Sequence, residues 1–280
     1  MARKSSHDSP SRDLSEHGLD SESRAAVVWN MFDREAEVDV SARNRPHWDQ
    51  NGAVTFVTIR LADSMPKAVV ARWLAEKDDW LKAHGLDSSH GSPSRELSGR
   101  AFDSESRATK SYDSSSSRNA ALGSAPRHIQ RAFRKFKDRR WHENLDDCHG
   151  KCLLRQRRFA DIVAESLLKF DGRRYDVERF VVMPNHVHML IQMRPGWGLR
   201  KQCESWMRFT GRQINSLNGT SGEFWSEPFD HVVRNESQFQ YLRAYIVDNP
   251  TKARLAQGDY LLWIRDLGFI TSPVARLSES

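Results

Sequence analysis

The sequence predicts an α+β fold, a small antiparallel sheet with helices packed on one face. Three observations predict it. Short β-branched and aromatic runs alternate with amphipathic stretches of helical period, in the order strand, helix, helix, strand, strand, helix, strand, helix. No run of 18 or more apolar residues is present, which excludes a membrane-spanning helix. Hydrophobic residues make up only 38% of the 280, so part of the chain is expected to stay outside any core.

Each element has a local warrant. Residues 53–61 (AVTFVTIRL) form a β-branched and aromatic run of strand length. Pro66 suits a helix start, and Val69, Val70, Trp73, Leu74, Trp80 and Leu81 recur near helical period after it. Phe159, Ile162, Val163, Leu167 and Phe170 mark a second amphipathic helix, closed by Asp171 and Gly172. Residues 175–182 and 186–193 read as strands joined through Met183, Pro184 and Asn185. Residues 198–215 look helical, and 229–234 short and extended. Asn235, with Gln238 three residues on, suits the N-cap of a helix running to about 248, which Pro250 is expected to end.

An internal repeat interrupts this pattern. Residues 6–26 (SHDSPSRDLSEHGLDSESRAA) and 89–109 (SHGSPSRELSGRAFDSESRAT) agree at 14 of 21 positions. The copies lie 83 residues apart and carry almost no apolar side chains, unlike the adjacent amphipathic units of a solenoid. Such Ser-, Arg- and Asp-rich chain cannot offset its own ordering entropy, so both copies are expected to be disordered. They fit an expansion of repetitive DNA into the reading frame at two tolerant places, a tail and a loop.

Charge is unevenly placed. The formal net charge of +6 combines residues 127–280, with 26 basic against 18 acidic side chains, and residues 1–126, with 17 against 19. Within 127–140, seven cations (Arg127, Arg131, Arg134, Lys135, Lys137, Arg139, Arg140) face one acid, Asp138. A basic face attracts polyanions such as nucleic acid, although a charge run is often only a solvated helix surface. Three cysteines at no disulfide spacing, and no apolar leader at the N-terminus, fit a reducing cytoplasm. Cys148 and Cys152, with His142 and His149, suggest zinc, but lack the standard ligand spacing.

His186 and His188 carry the first chemical signal. Residues i and i+2 of a strand share a face, so the two imidazoles project together and suit a divalent metal. The alternative is a hydrogen-bonded histidine pair at a core edge. Tyr245 and Asn249 share a helix face at i and i+4, presenting a phenol and an amide oxygen in one direction. A tyrosine serves as a nucleophile when a metal or base eases its deprotonation. Trp197, Trp206 and Trp225 flank these motifs and would either stack exposed bases or fill the core. Arg200, Lys201, Arg208 and Arg212 follow on a helix and would track a phosphate backbone. His231 precedes the tyrosine helix and would either touch the metal shell or the substrate, or serve a structural role.

The strings VMPNHVHML at 182–190 and YIVDNP at 245–250 resemble the single-tyrosine HUH transposases, and more narrowly the REP-associated tyrosine transposases. RPHW at 45–48, FVTIRLAD at 56–63, RFTGR at 208–212 and FWSEPFDHVVR at 224–234 match that style. The resemblance implies a ferredoxin-like sheet with a catalytic helix, in one domain over 43–266 interrupted by the 85–126 insertion. Residues 1–42 and 267–280 would then be tails. It also implies that His186, His188 and Asn249 hold Mg2+ or Mn2+, and that Tyr245 cleaves and rejoins single-stranded or hairpin DNA through a 5′-phosphotyrosine. The protein would act in the cytoplasm at the nucleoid, as a monomer or a homodimer. Two other readings compete: a domesticated hairpin-binding protein with little cleavage, and a metal hydrolase that does not use Tyr245. If the insertion is a tolerated loop, deleting residues 87–120 leaves folding and activity intact. A collapse of soluble yield in the deletion variant would refute this.

Overall fold

The computed structural model describes residues 27–36, 39–42, 46–50, 52–86 and 122–270. Both copies of the repeat lie outside the described residues, as does Arg45 of the RPHW string. The elements in chain order begin with strands β1 (Asp39–Ala42), β2 (Pro46–Asp49) and β3 (Val54–Arg60). Helices α1 (Lys67–Ala83), α2 (Arg127–Asp146) and α3 (Arg157–Leu168) follow. Then come β4 (Tyr175–Val182), β5 (His186–Met193), α4 (Leu199–Asn218), β6 (Phe229–Val232), α5 (Glu236–Lys252), β7 (Leu261–Ile264) and β8 (Gly268–Ile270).

The six-stranded sheet runs β6-β3-β5-β4-β7-β8, and every neighbouring pair is antiparallel. Taken alone, β3, β4, β5 and β6 give the interleaved order of a ferredoxin-like βαββαβ unit, as expected. β7 and β8 extend it at the β4 edge, a continuation that the sequence reading did not identify as strands. β1 and β2 form a separate two-stranded ladder.

The pleat divides the sheet into two faces. On one, Val57, Ile59, Val187, Met189 and Ile191 pack beneath α3 and α4. α4 supplies a buried stripe of Leu199, Cys203, Trp206, Thr210 and Ile214 at helical spacing, and ends at Gly219 with φ 64°. On the other face, Phe56, Val181, Leu190 and Leu262 pack against Phe239, Leu242, Tyr245 and Ile246 of α5. Among the described residues the sheet is therefore sandwiched, with α3 and α4 on one side and the tyrosine helix on the other.

Residues 27–33, which the sequence reading placed in the tail, run along this sheet. The Val54 N–H donates to Asn30 O at 2.7 Å, the Phe32 N–H to Val233 O at 2.8 Å, and Trp29 lies 6.3 Å from Phe239. Pro250 does not end its helix, which continues to Lys252. A proline removes one amide donor. Near the C-terminus that loss is local, because the Ala253 N–H reaches Asn249 O at 2.9 Å and the Leu255 N–H reaches Pro250 O at 2.9 Å.

Tyr175 begins β4 fully buried, with its hydroxyl accepting from Trp206 Nε1 at 3.3 Å. Burial pushes its phenol up to about 12 from the usual 10. A raised pKa means that the folded state keeps a proton which the unfolded chain releases. The stabilisation is complete below pH 10 and lost as pH rises through 12, amounting to about 3 kcal/mol for two pH units. Tyr175→Phe should flatten the stability difference between pH 9 and pH 12 relative to the parent chain, read from urea midpoints. An unchanged slope would show that this phenol is not the group responsible.

Candidate active site

The site is built on β5 and α5. In antiparallel register, Thr58 of β3 lies opposite His188 and Arg60 opposite His186, while Val181 of β4 flanks His188 on the other side. His186 and His188 thus stand on the face that carries α5, with ring centres 4.5 Å apart and both residues 0% exposed. Val187 between them points into the α3 and α4 core.

Each imidazole has an orienting partner. His186 Nδ1 lies 2.7 Å from Asn185 Oδ1, and His188 Nδ1 lies 2.8 Å from Thr58 Oγ1. An amide oxygen accepts only, so His186 Nδ1 carries the proton and Nε2 the lone pair, the tautomer that a metal requires. Asn185 is held in turn: its Nδ2 donates to His149 O at 3.1 Å, and its carbonyl accepts the Leu61 N–H at 2.8 Å. The Met-Pro-Asn turn is thereby anchored to the end of β3 and to the loop before α3.

α5 brings the phenol to the histidines. Tyr245 Oη lies 3.4 Å from His188 Nε2, and the ring stands edge-on 6.0 Å from Phe56. Tyr241 stacks at 6.4 Å on the solvent side, and Lys252 Nζ lies 5.1 Å from the Tyr245 ring centre. One helical turn beyond Tyr245, Asn249 is 0% exposed, and neither atom of its amide has a hydrogen-bond partner among the described residues. Leaving such a group unsatisfied costs about 1–3 kcal/mol, a cost that a bound ligand would offset. Two imidazoles and an amide oxygen fit a divalent cation. Among the described residues no group of three His, Cys, Asp or Glu side chains is so placed, at Cys148 and Cys152 or elsewhere. The Cys152 thiol is instead held below its ordinary range by its hydrogen bond to Cys148.

Two devices fix α5. Asn235 caps it, its side chain accepting the Gln238 N–H at 2.9 Å while Gln238 Oε1 accepts the Arg234 N–H at 2.9 Å. A bulge in β4, between Val177 and Arg179, brings the consecutive residues Glu178 and Arg179 to the same helix. Arg179 bonds Glu178 at 2.5 and 2.8 Å and donates to the backbone carbonyl of Arg243, whose own Nε donates to Glu178 Oε1 at 3.0 Å.

The remaining sequence candidates separate. His231 sits opposite Phe56 in register, with its ring 5.2 Å away, on the Tyr245 face. Trp206 and Trp225 are 3% and 5% exposed and belong to the core, whereas Trp197 is 44% exposed. Arg200, Lys201, Arg208 and Arg212 are exposed on α4, across the sheet from Tyr245. The basic segment forms α2, where Arg127, Arg131, Arg134 and Lys135 are exposed. Sequence reasoning missed Thr58, Arg60 and Glu178. Arg60 is 7% exposed and bonds Ser64 Oγ at 3.3 Å. Among the described residues, no helix is long and apolar enough to cross a membrane.

Residues 155–249 match the family described as "Transposase IS200 like", a segment that contains His186, His188, Tyr245 and Asn249. The two motifs quoted above, at 182–190 and 245–250, fall within this segment apart from Pro250. A solved structure of a REP-associated tyrosine transposase bound to a REP hairpin is similar to this chain at 13% identity, over 76% of this chain and 73% of that one, with a TM-score of 0.35. No curated protein matches the chain.

Removing the Glu178 carboxylate leaves two guanidinium groups at the bulge without their shared acceptor. Glu178→Ala should cost about 3–5 kcal/mol in urea unfolding, the range for breaking a buried ion pair. A loss below about 1 kcal/mol would place the cluster with solvent-screened surface pairs.

Proposed function

We propose that the protein is a divalent-metal-dependent transposase that cleaves and rejoins single-stranded DNA at hairpins, with Tyr245 as nucleophile. The observation that carries this reading is the meeting of Tyr245 Oη with His188 Nε2 at 3.4 Å, beside the fully buried and unsatisfied amide of Asn249. The match of residues 155–249 to the IS200-like transposases supports the same class.

His186, His188 and Asn249 would hold Mg2+ or Mn2+. When bound, such an ion polarises the phosphate and offsets the charge that builds on its oxygens. The chain's own groups do the rest. Asn185 and Thr58 keep the two imidazoles turned toward the site. The Tyr245 oxygen attacks phosphorus as its proton passes to solvent, which returns one to the leaving oxygen. The bond from phosphorus to the 3′ oxygen breaks, and that oxygen takes up a proton to leave a 3′-hydroxyl. The 5′-phosphotyrosine retains the ester bond, so the strand is rejoined when a 3′-hydroxyl attacks in reverse. Arg60, opposite His186 in register, adds a fixed positive charge on the same face. Arg200, Lys201, Arg208 and Arg212 bind DNA through its phosphates.

The test is incubation of the protein with labelled single-stranded hairpin DNA and Mn2+ or Mg2+, scored for a covalent adduct on denaturing gels. An adduct is expected, and Tyr245→Phe should abolish it. His186→Ala and His188→Ala should eliminate cleavage while salt-sensitive hairpin binding persists. Binding with no adduct under any metal would favour a hairpin-binding protein without cleavage. Cleavage surviving Tyr245→Phe would overturn the tyrosine mechanism.

A further inference from the structure

Away from the Tyr245 face, five side chains alternate aromatic and cationic groups in a row. The Arg174 guanidinium lies 4.4 Å from the ring centre of Trp197 and 3.6 Å from that of Phe170. Lys169 Nζ lies 5.7 Å from Phe170 and 5.7 Å from Phe209. The row joins the turn after α3, the turn after β5 and the outer side of α4. Its two end rings, Trp197 and Phe209, are 44% and 50% exposed.

The two end rings are held rather than loose. The Arg194 N–H donates to Arg174 O at 3.0 Å, and the Trp197 N–H donates to Arg194 O at 3.1 Å. The Arg194 side chain makes two 2.8 Å bonds to the buried Asp176 carboxylate. The backbone thus sets Trp197 on Arg174, and a ligand stacking there spends little entropy on ordering it. Phe209 sits on α4 between Arg208 and Arg212, both exposed. Near the start of α4, Arg200 and Lys201 are exposed close in sequence to Trp197, and the acid Glu204 is already bonded to Arg200 at 3.1 Å.

We propose that Trp197, Arg174, Phe170, Lys169 and Phe209 form a stacking platform for unpaired nucleobases, with Arg200, Lys201, Arg208 and Arg212 following the phosphates. The proposal deepens the functional reading above and rests on it. Flat rings beside cations are what single-stranded nucleic acid engages, because every unpaired base offers a π-face and every nucleotide a negative charge. A duplex stem hides its base faces and would meet only the cations. An acidic peptide would likewise leave the rings idle. The platform therefore selects the unpaired flank of a hairpin. It lies beyond the far end of β5 from His188, roughly 17 Å along the strand for the five residues to Met193. At that distance it governs affinity for the flank and not the chemical step.

The test compares Trp197→Ala, Phe209→Ala and Trp197→Phe with the full parent chain, by fluorescence anisotropy on two labelled probes. One is a hairpin with an unpaired oligothymidine flank, the other the same hairpin blunt-ended. Each alanine variant should bind the flanked probe about five- to a hundredfold more weakly. Each should bind the blunt probe as the parent does, and Trp197→Phe should recover most of the loss. Unchanged binding of the flanked probe, or equal loss on both probes, overturns the platform while leaving the functional reading intact. A parent chain that binds neither probe overturns the functional reading, and the platform falls with it.

Discussion

The two-residue pleat of β5 is the constraint on which the site depends. Alternate residues of this strand serve two different interiors. Val187, Met189 and Ile191 are locked beneath α3 and α4, and that burial fixes which face is left for His186 and His188. A slip by one residue would drive both imidazoles into an apolar core and set Val187 against Tyr245. β5 is a central strand, paired with β3 on one side and β4 on the other, so the register is held from both edges. The histidines are fully buried polar groups, and Asn185 and Thr58 each meet one ring nitrogen, which offsets part of the cost of burying them. The same contacts that satisfy the rings also orient them.

The opposite wall of the site is a single helix, and an aimed nucleophile is no better placed than the helix that bears it. α5 has no neighbouring helix among the described residues on its face of the sheet, so its position comes from three sources. Phe239, Leu242 and Ile246 give apolar contact with the sheet. The reciprocal cap of Asn235 and Gln238 fixes where the helix begins. The β4 bulge brings Glu178 and Arg179 up to Arg243, two residues from Tyr245. Apolar contact alone would allow the helix to slide. A hydrogen bond from Arg179 to one particular backbone carbonyl does not.

Much of this was legible in the sequence, for identifiable reasons. β4 and β5 lie where 175–182 and 186–193 predict them, because β-branched and apolar runs bounded by a Pro-Asn turn leave little freedom. The fate of Trp206 and Trp225 was not legible: a tryptophan beside a motif suits a core as well as a base, and only packing against Tyr175 and Thr210 decides for the core. Thr58 meets His188 across 130 positions, and no local pattern announces a pairing over that distance. Glu178 shows in sequence as an acid inside a strand. Its purpose emerges only with the bulge, which breaks the alternation that sequence reading relies on. Pro250 signals a stop in the sequence because proline disfavours helix. One lost donor near a C-terminus is too small an effect to override a buried Asn249 and the bonds that follow it.

The arrangement also constrains how the proposed chemistry begins. His186, His188 and Asn249 are fully buried and Tyr245 is 7% exposed, so a phosphodiester has no direct path to the phenol oxygen while that oxygen rests 3.4 Å from His188 Nε2. Either the ring turns outward or α5 shifts. The flanking groups suit the first: Tyr241 is 65% exposed on the solvent side, and Lys252 lies over the ring with its charge at the surface. A phenol turned outward would keep the stacking partner it already has and gain a cation close to the negative phosphate. The ion cluster at Glu178 opposes the second route, because sliding α5 would break the bond from Arg179 to the Arg243 carbonyl. Rotation of one side chain is thus the lower-cost opening, with α5 fixed while the Tyr245 ring, the proposed nucleophile, turns.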